Sequence, residues 1–111
     1  MQEGSQSPWG KVQHVKELAH GAYQVDTAGH GGVKLDAARN RKVPSEARMP
    51  GGWYEEDCKW AIAAFVHQDV GDAILKRVRE VNPGTYDGTA YLETTIKRWE
   101  SPAVVAALGI A

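Results

Sequence analysis

The chain changes its pattern near residue 50, and that break constrains the fold more than any other feature. Before it, apolar residues fall in short alternating runs punctuated by glycine. After it, they recur at three- and four-residue spacings. Alternation suits strands with one buried face, whereas the second spacing suits helices with one apolar stripe. Strands followed by helices predict an α+β fold. With 111 residues, the chain fits one domain.

Met1 to Pro8 is polar and is expected to form a flexible arm, leaving residues 9–111 as the domain. Val12, Val15 and Leu18 predict a strand beginning near Lys11, and His20-Gly21 a turn. Ala22, Tyr23 and Val25 predict a second strand, and Val33 and Leu35 a third. The run from Ala28 to Gly32 is too glycine-rich for a regular element, so it is expected to turn with glycines at positive φ. The expectation is a three-stranded antiparallel sheet in the N-terminal third, packed against three or four helices from the C-terminal half.

Asp36 is placed to cap one helical turn. Pro44 and Pro50 bracket a polar connection that Gly51-Gly52 closes. A helix is expected from Trp53, with Tyr54, Cys58, Ala61, Ile62 and Phe65 on one face. Glu55, Glu56 and Asp57 would then lie in its first turn, where the helix dipole favours negative charge. A further helix starts at Asp69 or Gly71, carries the stripe Val70, Ile74, Val78 and Val81, and stops at Asn82-Pro83-Gly84. Another runs from Thr89 to Trp99 on Leu92, Thr95, Ile96 and Trp99. Ser101-Pro102 reads as a cap with proline at the first helical position, and Gly109 ends that last helix.

The formal net charge of −1 gives no overall basic field for nucleic acid. The single cysteine, Cys58, forbids an internal disulfide and fits a reducing cytoplasm. No run nears the roughly 18 apolar residues of a membrane helix. His14, His20, His30 and His67 match no metal-ligand spacing, so no metal and no cofactor is expected. Glycines flank His30; it either presents its ring at an exposed turn or hydrogen-bonds locally at a backbone bend. Cys58 follows three acidic residues, which oppose a thiolate, so it reads as a core residue. Glu55-Glu56-Asp57 reads as helix-start charge, as a source of acid/base chemistry, or as an acidic patch competing for a basic surface. Arg39, Arg41, Lys42 and Arg48 are the candidates for phosphate contact, or are simply solvated.

The most specific stretch runs in order from Trp9-Gly10, through Ala28-Gly29-His30-Gly31-Gly32-Val33-Lys34-Leu35 and Lys42-Val43-Pro44, to Pro50-Gly51-Gly52-Trp53-Tyr54-Glu55-Glu56-Asp57-Cys58-Lys59-Trp60-Ala61. Over about residues 7–66 it resembles a small domain carried by phages, plasmids and integrative elements. That domain often sits inside very long polyvalent proteins beside antirestriction modules. Gly29 stands where the family pattern has a small hydroxyl residue. The resemblance implies a mobile-element context and assigns no catalytic residue.

Physically, Trp9, Gly31, Gly32, Gly51, Gly52, Trp53, Tyr54 and Trp60 read as a folding device. His30, Arg39, Arg41, Lys42, Glu55, Glu56 and Asp57 are the candidate contacts. The leading expectation is a non-catalytic cytoplasmic inhibitor, anti-CRISPR or antirestriction in kind, that binds a host defence protein or ribonucleoprotein complex. The alternatives are a nucleic-acid-binding accessory module and, behind it, a histidine-dependent enzyme centred on His30.

Overall fold

The alternation over residues 14–35 resolves, in a computed structural model describing residues 1–81 and 88–110, into three successive antiparallel strands. They are β3 (His14–Ala19), β4 (Ala22–Asp26) and β5 (Gly31–Leu35). A fourth strand, β6 (Trp53–Glu55), pairs with β5, so the expected three-stranded sheet has four strands in the order β3-β4-β5-β6. Ahead of them, β1 (Gln6–Ser7) and β2 (Gly10–Lys11) form a separate hairpin. The expected arm thus ends in a paired strand. Lys11 belongs to this hairpin, not to the first strand of the main sheet.

The stretch from Trp53 corrects the predicted helix. Gly51 and Gly52 both have positive φ, at 67° and 78°, in a short 3-10 turn from Pro50. They redirect the chain so that Val33 pairs with Tyr54 and Gly32 with Glu55. The helical spacing of Tyr54 with Ala61 was therefore coincidental, because strand pairing with β5 fixes Tyr54 instead. That tyrosine is fully buried, donates its hydroxyl to Asn40 Oδ1 at 2.5 Å and accepts the Met49 N–H at 3.3 Å.

The glycine run needs the second correction. Gly31 and Gly32 lie inside β5, and neither has positive φ. Their lack of a Cβ serves close approach. A Cβ on Gly32 would overlap the Tyr54 carbonyl and fall 2.7 Å from the Trp9 ring, and one on Gly31 would fall 2.8 Å from the Val25 carbonyl.

Helices cover one face of the sheet. The caps behave as the sequence predicts: Asp36 accepts the Arg39 N–H at the start of α1 (Ala37–Arg41), and Ser101 that of Val104 at the start of α5 (Pro102–Ala107). Between them run α2 (Trp60–Val66), α3 (Gln68–Val81) and α4 (Gly88–Trp99). The core joins Leu35 and Tyr54 of the sheet to Ile62, Val70, Leu75, Leu92 and Ile96 of the helices. Trp99, placed on a buried stripe by its spacing, is 58% exposed. The expected stop at Asn82-Pro83-Gly84 lies outside the described residues, as do the side chains of Val78 and Val81. Among the described residues no helix is long and apolar enough to cross a membrane.

Candidate functional site

The turn between β4 and β5 is built around Thr27. Its hydroxyl accepts the His30 N–H at 3.1 Å and donates to the His30 carbonyl at 2.6 Å, and its own N–H reaches that carbonyl at 2.8 Å. His30 therefore sits on a braced turn with its ring exposed. Beside it, the ladder extends one residue past β6, where the Glu56 N–H donates to the Gly31 carbonyl at 2.9 Å. Glu55 comes to rest with Oε1 3.8 Å from His30 Nδ1. Donor atoms of His30, Glu55 and Asp57 all lie within 4.8 Å of one another. One imidazole with two carboxylates is a donor set that suits a divalent cation of intermediate hardness. These three are the only such group among the described residues, and His14, His20 and His67 stand apart from it.

Successive strand residues face opposite ways, so this end of the sheet has two different sides. Glu55 pairs with Gly32, the glycine over which Trp9 packs. Trp9 in turn meets Trp53 edge to face, with ring centroids 5.5 Å apart, and the Lys34 ammonium lies 4.9 Å from the Trp53 ring centroid. Glu56 faces the other side. The space a Cβ would take on Gly31 lies 3.2 Å from Glu56 Oε2 and 3.0 Å from Asp26 Oδ1. The acidic triplet is therefore split across the sheet rather than gathered in one helical turn. Trp60, grouped with these residues in the sequence, packs instead on Tyr91 of α4.

The basic candidates do not form one surface. Arg39 donates two hydrogen bonds to Asp69, at 2.9 and 2.7 Å, and a third from Nε to the His20 carbonyl at 2.6 Å. Its side chain is only 16% exposed, and it ties α1 to α3 and to the β3–β4 turn. Arg48 is folded back onto the Val43 and Arg41 carbonyls. Arg41 and Lys42 stay exposed. The buried His67 ring reaches the Arg39 carbonyl at 2.9 Å, a core role rather than a ligand role.

The Arg39 bonds hold the Asp69 carboxyl down at about 2 against an ordinary value near 3.8. Because the folded-state value is depressed, the stabilisation is complete above the unfolded value and fades as pH falls through the folded one. Removing it with Asp69→Asn should leave the melting temperature less sensitive to acid between about pH 4 and 2 than in the parent chain, as calorimetry across that window would read. Burial pushes the Cys58 thiol up, with the neighbouring Lys59 only partly opposing it, so the thiol is a poor nucleophile.

A family model described as a domain of unknown function, DUF7007, matches residues 2–108. The chain belongs to that family. No curated protein and no solved structure matches it. The family description indicates no enzyme class, so membership in DUF7007 leaves the chemistry to be read from the side chains.

Among the side chains of this DUF7007 domain, sequence reasoning missed Asp26, Asp69 and Glu100. Asp26 had a signal: Gln24 and Asp26 share a strand face with buried Ala22, so polar groups stand on a face that helices cover.

Proposed function

We propose that this domain works by occupying a basic site on a larger macromolecule. In the mobile-element setting that its sequence resemblance implies, it acts as a non-catalytic counter-defence inhibitor of a host defence protein or ribonucleoprotein complex. The observation that carries this reading is the braced acidic end of the sheet, where His30, Glu55, Glu56 and Asp57 project from a turn and strand pinned by Thr27 and by the close-packed glycines. Fixed, exposed carboxylates complement a nucleic-acid-binding surface and lose little freedom on docking. The nucleic-acid-binding alternative is weakened because Arg39 and Arg48 are already bonded within the chain.

Expression in a defence-positive host should restore phage plating, and the wild-type chain should capture its target from that host. Glu55→Gln with Asp57→Asn should weaken capture about tenfold or more, and the loss should be steepest at low salt. Unchanged capture by that pair would remove the acidic end from the interface. An absence of rescue across all the host's defence systems would remove the counter-defence role.

The convergence of His30, Glu55 and Asp57 favours one second reading, a metal-dependent His30 centre. Elemental analysis of the purified chain separates the two: stoichiometric metal lost in His30→Ala supports the centre, and a metal-free chain that still captures its target supports docking alone.

A further inference from the structure

A cavity of about 260 Å³ lies between the sheet and the helices, next to the acidic end. Trp60 and Tyr91 supply aromatic walls with ring centroids 6.4 Å apart, and Ile74 and Leu75 supply aliphatic lining. Asp26 and Glu56 contribute its only charges among the described residues, and both are negative. Their carboxylates converge on the space above Gly31, and neither takes a hydrogen bond or an ion pair from a described residue. Glu56 is exposed, so the acidic rim borders solvent.

Apolar walls with two uncompensated carboxylates call for a cation that has an apolar or planar body. Drug-sized ligands occupy roughly 300 Å³ or more, so this space suits a single side chain. A guanidinium fits better than an ammonium. It is flat, it stacks on aromatic faces, and its fork of donors can reach two carboxylates at once. We propose that the cavity receives one arginine side chain of the partner protein. The proposal rests on the docking reading above and adds to it the chemistry of one anchoring contact.

The test uses the full chain and a blocked arginine, N-acetyl-arginine methylamide, followed by NMR at the Trp60 indole N–H and the Tyr91 amide. Saturable shifts are expected. The matched citrulline compound, which is neutral and nearly isosteric, should bind at least about tenfold more weakly, since it loses the charge that strengthens each hydrogen bond to a carboxylate. Glu56→Gln and Asp26→Asn should each weaken arginine binding about fivefold or more, with the remaining spectrum unchanged to show an intact fold. Free arginine should bind no more tightly than the blocked form, because a partner protein presents its arginine between neutral peptide groups and a site built for it has no use for free α-amino and α-carboxyl charges. Equal binding of citrulline, indifference to both substitutions, or no shift at saturating probe would overturn the proposal. Tighter binding of free arginine would point to a metabolite and would also overturn it. If the probe fails while the wild-type chain still captures its target, only the cavity assignment falls. If the probe binds as expected but no plating rescue is seen, the arginine preference stands and the counter-defence reading falls.

Discussion

Replacing Gly52 with alanine should destabilise the domain by about 2–5 kcal/mol. Left-handed backbone at a non-glycine residue costs about 1–2 kcal/mol, and forcing atoms into a packed site costs about 1–3 kcal/mol. Both apply here. Gly52 has φ of 78°, is buried, and a Cβ would overlap the Leu35 carbonyl oxygen. That carbonyl belongs to β5 and cannot swing aside as a side chain would. Two controls divide the cost. Gly109→Ala keeps the strain, with φ of 74°, but meets nothing within 4 Å, so only about 1–2 kcal/mol should be lost. Gly29→Ala has neither strain nor a clash and should stay within about 0.5 kcal/mol. Thermal melts of the three variants read the series; equal losses at residues 29 and 52 would show that the turn into β6 is not the constraint described.

Lys59→Met should cost about 3–5 kcal/mol, the range for leaving a buried charge without its partner. Lys59 Nζ donates to Glu100 Oε1 at 2.6 Å, and the Glu100 side chain is only 3% exposed. Its second oxygen, Oε2, has no hydrogen-bond partner, so the lysine is the carboxylate's one compensation among the described residues. The pair also joins the start of α2 to the end of α4, linking segments 41 residues apart in sequence. Combining Lys59→Met with Glu100→Leu should recover most of the loss, since a matched apolar pair is often neutral in place of a buried ion pair. A double variant as unstable as the single one would place the effect in packing rather than in charge.

The sequence carried the class of fold because alternation and helical spacing are local signals. It carried the caps at Asp36 and Ser101 for the same reason: each is a side chain bonding its own next turn. It failed at Trp53–Glu55, where the spacing of Tyr54 with Ala61 imitated a helix. There the decision belonged to β5, which lies about twenty residues earlier and whose Val33 and Gly32 pair with Tyr54 and Glu55. It also misread Gly31 and Gly32. Their glycine content reflects what presses on the strand from either side, which no local pattern encodes. At the candidate site, His30, Glu55 and Asp57 were legible as residues but not as neighbours, because only the four-stranded register brings them together. Arg39 looked like a free cation until Asp69, thirty positions away, folded against it.

The two bare glycines of β5 also determine which partner shapes could fit. Because Trp9 presses on one side of the strand and two carboxylates crowd the other, this end of the sheet is differently decorated front and back. A flat partner could touch only one of those decorations. On the proposed docking, a target that engages both the histidine turn and the cavity would have to reach around the end of the sheet and contact its two sides with separate segments.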